Sequence, residues 1–148
     1  MRLHDYWMNF ALEEAKKAAL EDEIPVGAII VRNQEIVASS HNLTRQRQNP
    51  LAHAEKNVIE AVLSHEKFLY EYTLYVTLEP CMMCAGLIIL SRIGTVVYGS
   101  RDKKAGACGS IYNVLKDKRF NHEPVLISGV LESECSVILK EFFKNKRG

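Results

Sequence analysis

Residues 73–86 read TLYVTLEPCMMCAG, a strand pattern followed directly by a helix pattern that opens with two cysteines. β-Branched and aromatic residues dominate from Thr73 to Leu78, which is typical of a β-strand. The uniformly apolar residues from Met82 to Leu90 predict a helix that must be buried on nearly all sides. The stretch therefore predicts a strand–helix unit with Cys81 and Cys84 at the beginning of the helix.

Further helices and strands are predicted on both sides of this unit. The predicted helices are an alanine-rich amphipathic helix from Leu3 to Glu21, one from Asn49-Pro50 to about Leu63, and one from about Glu132 to Lys144. The predicted strands are 26–31, 35–39, 95–99 and 125–128, of which the first two most simply form an antiparallel hairpin. Strands that are apolar on both faces and alternate with helices indicate an α/β protein. We therefore predict a three-layer α/β/α sandwich with a central mixed sheet of about five strands.

The composition fits a single domain spanning residues 1–148. A chain of 148 residues, 47% of them hydrophobic, is long enough to bury one core. A net charge of only +1 means that any nucleic-acid-binding surface must be a local patch. The longest uncharged stretch, Pro80 to Ser91, has 12 residues, too few for a membrane span, which needs roughly 18. Four cysteines without a secretory signal indicate reduced thiols and a cytoplasmic location.

Two short motifs carry the chemistry: His53-Ala54-Glu55, and Cys81 with Cys84. Together they supply one imidazole, two thiols and one carboxylate. Zinc held by three protein ligands keeps a fourth position for water, whereas a structural zinc site fills all four. We therefore predict one catalytic zinc ion per chain, bound by His53, Cys81 and Cys84, with Glu55 as general acid and base. On a regular helix, however, residues two apart point about 200° away from each other, so His53 and Glu55 cannot share one face.

Two other interpretations of the cysteines remain at this point. A lone Cys-x-x-Cys is also typical of a thioredoxin-like redox pair or of half a zinc ribbon. A ribbon needs a second pair, which Cys108 and Cys135 do not form, because they are 135 − 108 = 27 positions apart. These two are predicted to be core thiols. The redox interpretation leaves His53-Ala54-Glu55 unexplained.

The pattern His-x-Glu followed by Pro-Cys-x-x-Cys is the signature of zinc-dependent base deaminases. From Asn42 through Phe143 the sequence resembles the bacterial tRNA-specific adenosine deaminases of the cytidine deaminase-like superfamily. The stretches that carry the resemblance are Val26–Ala28, His53–Glu55, Thr73–Gly86, Ser91–Ile93, Gly99–Asp102, Gly106–Ser110 and Glu141–Phe143.

The resemblance implies a cytidine deaminase-like fold and hydrolytic deamination of adenosine to inosine at the wobble position of a tRNA anticodon, by a zinc-dependent homodimer. By this resemblance, His53, Cys81 and Cys84 would bind the zinc ion, and Glu55 would transfer the proton. Asn42 resembles the family asparagine that hydrogen-bonds the nucleoside, although an asparagine there also fits a turn that ends a strand. Asp102 resembles an aspartate that contacts a loop ribose; an ordinary loop aspartate is the alternative.

Basic residues in the sequence separately support the prediction that the substrate is an RNA. They form three groups in the sequence: Arg45 and Arg47; Arg101, Lys103 and Lys104; and Lys140, Lys144, Lys146 and Arg147. We predict that they form one rim around the site and bind the phosphates of a tRNA anticodon stem-loop, with Lys103 and Lys104 as substrate-binding residues. Scattered solvated charges are the alternative.

Two rival functions remain. A deaminase of free nucleobases or nucleosides, of the guanine or cytosine type, would use the same zinc chemistry. A zinc or redox module without enzymatic activity would bind metal but have no exchangeable fourth ligand.

Overall fold

The structure, a computed structural model, describes residues 3–147, apart from the side chain of residue 147. The helices are α1 (Leu3–Leu20), α2 (Ala54–Leu63), α3 (Met82–Ser91) and α4 (Glu132–Arg147), with a short 3-10 turn at Val114–Lys116. The strands are β1 (Gly27–Arg32), β2 (Glu35–His41), β3 (Thr73–Leu78), β4 (Thr95–Ser100) and β5 (Val125–Ile127).

The five strands form one mixed sheet in the order β2-β1-β3-β4-β5. β1 is antiparallel to both of its neighbours, β2 and β3, whereas β3, β4 and β5 are parallel to one another. Consequently β2, β3 and β4 run in the same direction and end at the same edge of the sheet. Loops at the carboxyl ends of parallel strands are where α/β proteins bind ligands.

Helices cover both faces of the sheet because the central strands are apolar on both sides. Ala28 and Ile30 of β1 belong to the core beneath α2 and α3, and the alternating residues Ile29 and Val31 belong to the core beneath α1 and α4. Helix residues of the first core include Val58, Val62 and Ile88, and those of the second include Met8, Ala11 and Cys135. The predicted three-layer sandwich with five strands is confirmed, and so is the burial of Cys108 and Cys135.

The predicted beginning of the second helix is wrong. Asn49 does not cap a helix: its side-chain Oδ1 accepts a hydrogen bond from the backbone N–H of Leu51, at 2.9 Å, which closes a local turn. The helix begins only at Ala54, and His53 occupies the position before it.

The helix after the cysteines, predicted to be buried on nearly all sides, is buried on one face within a single chain. Cys84, Ala85, Ile88 and Ile89 of α3 are buried. The opposite stripe is at least partly exposed, with Leu90 74% exposed. This stripe consists of Met82, Met83, Gly86, Leu87 and Leu90. One face of an apolar helix is thus left partly uncovered by the other described residues, 3–81 and 92–147.

Within residues 3–147, none of the helices combines the length and the apolar composition needed to cross a membrane.

Candidate active site

The site lies where β2, β3 and β4 end. Asn42 follows β2, Cys81 follows β3 by three residues, and Asp102 follows β4 by two. Leu78 and Ser100 are paired at the ends of the parallel strands β3 and β4, so the segments after them begin side by side. The common direction of these strands explains why residues sixty positions apart in sequence meet at one cavity.

The arrangement of His53 and Glu55 follows from where α2 begins. His53 is the N-cap residue and has extended backbone angles, φ −72° and ψ 151°. Glu55 lies in the first turn of the helix. Because only Glu55 has helical geometry, the 200° separation expected of two helical residues does not apply. The side chains of His53 and Glu55 both line the same cavity.

His53, Cys81 and Cys84 offer three donor atoms that converge on one point. The Nδ1 atom of His53 lies 3.6 Å from each cysteine Sγ, and all three donor atoms lie within 4.8 Å of one another. Among residues 3–147 this is the one group of three histidine, cysteine or acidic side chains close enough to hold a metal ion. One imidazole with two thiolates is a donor set that zinc accepts, so these residues fit a zinc ion.

The two thiols have opposite pKa shifts. A hydrogen bond from Cys84, assisted by one from His53, lowers the pKa of Cys81 to about 4. The same contact with Cys81, together with burial, raises the pKa of Cys84. Two thiols so close cannot both ionise without a cation beside them, and a divalent metal provides that charge.

Glu55 is a buried carboxyl group, with 4% of its surface exposed. Burial raises its pKa to about 7. It lies beside the donor atoms without belonging to the group of three that converges on the metal position. A carboxyl group in that place can hold or release a proton next to the metal.

The cavity has a volume of about 160 Å³, and polar and apolar side chains both line it, although most of the surface they present is apolar. Its lining consists of Ile24, Val26, Asn42, His53, Ala54, Glu55, Leu78, Glu79, Cys81, Asp102 and Ala105. Asn42 is buried, and its Oδ1 accepts a 3.3 Å hydrogen bond from the backbone N–H of Thr44. Asp102 accepts hydrogen bonds from the N–H groups of Lys104 and Ala105, so it also shapes its own turn.

Residues 1–100 match the family model described as the cytidine and deoxycytidylate deaminase zinc-binding region. The chain is 47% identical to the tRNA-specific adenosine deaminase of Bacillus subtilis (strain 168) over 149 aligned residues, which cover 99% of this chain and 92% of that protein. The chain belongs to the tRNA-specific adenosine deaminases. The zinc-binding region of the family and the donor set of the structure agree on the cofactor, one zinc ion per chain.

A solved structure from studies of A-to-I editing by tRNA:A34 deaminases at the wobble position of transfer RNA superposes with a TM-score of 0.86 and 40% identity. The match covers 90% of this chain and 99% of the solved chain. The guanine deaminase of Nitrosomonas europaea superposes with a TM-score of 0.80 at 18% identity, over 93% of this chain and 83% of that one. That second likeness concerns the fold alone.

In this family member, the predicted basic residues other than Arg147 lie on the surface. Arg101, Lys103 and Lys104 are exposed on the loop after β4, and they form no ion pair within residues 3–147. Lys103 and Lys104 do not line the cavity, whereas their neighbour Asp102 does.

The other two basic groups are partly neutralised. Arg45 and Lys146 both form ion pairs with Asp22, which joins the loop after β2 to the end of α4. Arg47 donates to the side-chain oxygen of Asn57 at 3.2 Å. The side chain of Arg147 lies outside the described part of the structure.

Sequence reasoning missed two buried carboxylates beside the site. Glu79 is 2% exposed and lines the cavity, and Glu23 is fully buried. The Glu23 carboxylate accepts hydrogen bonds from the backbone N–H groups of Arg45, at 3.0 Å, and Gln46, at 2.8 Å. Glu79 is marked in the sequence by its place next to the Pro80-Cys81 motif, whereas Glu23 follows Glu21 and Asp22 and no such signal marks it.

Proposed function

We propose that this protein hydrolyses adenosine to inosine at the wobble position of a tRNA anticodon. The observation that carries the proposal is the buried Glu55 beside three converging donor atoms, in a chain 47% identical to a tRNA-specific adenosine deaminase. His53, Cys81 and Cys84 would hold the zinc. When bound, zinc supplies Lewis-acid chemistry that makes a nucleophile from water near neutral pH.

The other residues around the metal position would each have a separate role in the reaction. Glu55 holds a proton and delivers it to the base as the exocyclic amine leaves. The apolar walls formed by Ile24, Val26 and Leu78 exclude bulk water and leave space for a flat base. Asn42 presents its side-chain amide to the nucleoside, since Thr44 fixes the orientation of its oxygen.

The RNA substrate is supported by features next to the cavity. A groove of about 490 Å³ continues from it along the loop after β2. This groove gives flanking nucleotides a place that a free base does not need. Lys103 and Lys104, which form no ion pair within residues 3–147, lie on the loop after β4, where they would bind phosphates. Their neighbour Asp102, which lines the cavity, would contact a loop ribose.

The decisive assay compares substrates. We expect inosine to form in an anticodon stem-loop far faster than in free adenosine, because phosphate contacts add binding energy that a nucleoside lacks. Free guanine and cytosine are assayed beside them. Equal or faster turnover of a free base or nucleoside would replace this proposal with a metabolic deaminase. Bound zinc without turnover of any of these substrates would indicate a module without enzymatic activity.

We also propose that the protein is a homodimer formed through the exposed apolar stripe of α3. Met82, which is 49% exposed, directly follows Cys81, so a second copy on this stripe would lie near the substrate cavity. We expect light scattering at micromolar concentration to give twice the chain mass. Leu90→Lys should give the mass of one chain. The same substitution at Leu20, which is 89% exposed at the end of α1, is the matched control.

Two further proposals concern the whole chain. We propose that residues 1–148 act as one deaminase domain, and that the protein works in the cytoplasm. Four free cysteines, three of them buried, are compatible with a reducing compartment.

A further inference from the structure

The loop at residues 102–110 is folded around the side chain of Glu79. Oε1 of Glu79 accepts hydrogen bonds from the backbone N–H of Asp102, at 3.1 Å, and from the Ser110 hydroxyl, at 2.5 Å. Oε2 accepts from the backbone N–H groups of Cys108 and Ser110, both at 3.0 Å. A carboxylate has about four acceptor positions, and here four donors from one loop use them.

Glu79 is itself fixed in place. It directly follows β3, and its backbone N–H continues the pairing with β4 by donating to Ser100 at 2.8 Å. Burial alone would raise its pKa, but the hydrogen bonds from Ser110, Asp102 and Cys108 outweigh burial and lower the pKa of Glu79. The two oxygens of Glu79 only accept hydrogen bonds from these loop donors, which is the pattern of an ionised carboxylate.

Gly106 allows the loop to approach the carboxylate. A Cβ atom at this position would lie 2.3 Å from Oε2 of Glu79, closer than any side chain tolerates. The backbone N–H of Ala107 also donates to the carbonyl of Pro80, at 2.9 Å. The loop thus lies directly against the segment that carries Cys81.

We propose that Glu79 is a positioning residue that fixes the loop 102–110 and so places Asp102, Lys103 and Lys104 for binding of the substrate RNA. The inference rests on the proposed function for the identity of the substrate. The metal donors are His53, the N-cap residue Cys81 and Cys84 of α3, and none of them is a hydrogen-bond partner of the Glu79 carboxylate. Glu79 is therefore proposed to act on substrate binding, and the zinc content of its variants tests whether the metal site stays intact.

The test uses the zinc-loaded protein and Glu79→Gln. The glutamine side chain has the same size as the glutamate. Its NH₂ group is a donor, however, and it faces N–H groups whose hydrogen bonds a carboxylate oxygen accepted in the wild type. We expect the backbone amides of Asp102, Cys108 and Ser110 to exchange with solvent about tenfold faster or more. The amide of Ala85, in the first turn of α3, should keep its wild-type exchange rate.

The kinetic readout separates positioning from mere stability. We expect KM for an anticodon stem-loop to rise about tenfold while kcat changes less than about threefold, because the lost contacts bind substrate and transition state alike. Zinc content should remain one per chain. The matched control is Glu71→Gln, an exposed carboxylate paired with Arg32 before the other end of β3, which should change neither quantity.

Ser110→Ala is the second variant, in case Glu79→Gln does not fold. It removes one of the four donors, so the same amides should exchange faster by a smaller factor, about threefold. Wild-type exchange rates at these amides in the folded variants would overturn the proposal, and so would a fall in kcat with KM unchanged. If the wild-type protein does not deaminate the stem-loop, the proposed function fails, whereas the exchange rates still decide whether Glu79 holds the loop.

Discussion

Glu55 is the residue whose replacement separates proton transfer from metal binding. We expect Glu55→Ala to keep its zinc and its fold while turnover falls by roughly 10²-fold or more, the usual size of a general acid–base contribution. Metal analysis and stem-loop deamination measure the two effects. Glu60→Ala changes an exposed carboxylate on the same helix and should leave turnover unchanged. Loss of zinc from the Glu55 variant would make this carboxylate a metal ligand.

Substitution of Cys84 tests which side chains bind the zinc ion. This cysteine is fully buried, so Cys84→Ser should lose zinc and also lower the melting temperature, because the free energy of metal binding contributes to folding. Zinc per chain and thermal unfolding are the measurements. Cys135→Ser replaces another fully buried thiol, far from His53 in the opposite core, and should keep its zinc despite some loss of stability. Full zinc occupancy in Cys84→Ser would mean that a different side chain completes the site.

The site residues differ in how far the sequence alone determines them. His53, Glu55, Cys81 and Cys84 are recognisable because their residue types and spacing are those of a zinc site. The role of Glu79 depends on donors 23 to 31 positions later in the chain, and these become neighbours only when β3 and β4 pair. No local pattern in the sequence contains that information.

For helices and strands, local sequence patterns predicted that each element exists, but not every boundary and not which faces the rest of the chain covers. The strand at Thr73–Leu78 was predicted with its observed bounds, since its apolar run ends at a proline-containing turn. The beginning of α2 was misplaced because the side chain of Asn49 closes a turn instead of capping a helix. The position of the exposed stripe of α3 was not predicted, because apolar residues on all sides of a helix do not reveal which face the chain itself covers.

His41 makes a contact between elements that depends on pH. Its Nδ1 lies 3.0 Å from Glu14 of α1 and its Nε2 lies 2.8 Å from Glu21, so both ring nitrogens face carboxylates and the protonated ring fits best. Burial opposes protonation, but these two hydrogen bonds raise the pKa of His41 above 6.5. Lys17, which pairs with Glu14, is the other charged group in this cluster.

The sign of the pH effect follows from that raised pKa. The folded state holds the proton more tightly than the unfolded state, so the stabilisation is complete below the unfolded pKa and is lost as pH rises through the folded pKa. We expect the free energy of unfolding, measured with urea, to fall more steeply as pH rises above about 6.5 in the wild type than in His41→Asn. His65→Asn, at an exposed position, should retain the wild-type slope. Parallel slopes for wild type and His41→Asn would contradict the assignment.

For the whole molecule, charge distribution matters more than net charge. A net charge of +1 gives little general attraction for RNA, so binding must depend on cations that no carboxylate neutralises. Arg45 and Lys146 share Asp22, whereas Arg101, Lys103 and Lys104 on the loop after β4 form no ion pair within residues 3–147 and follow or flank Asp102, which lines the cavity. Binding of the stem-loop should therefore weaken as salt rises, with a slope set mainly by that loop.

Replacing Lys103 and Lys104 together with alanine tests this dependence. Each lost phosphate contact should reduce the slope of log K against log salt by about one unit, so the double variant should lose about two units while keeping zinc and kcat. Fluorescence anisotropy of a labelled stem-loop over a salt series gives the slopes. Lys16→Ala combined with Lys118→Ala removes the same total charge from lysines already paired with Glu13 and Glu123, so it should leave the slope near that of the wild type. Equal reductions in both double variants would mean that general charge, and not the loop beside the cavity, draws the RNA to the protein.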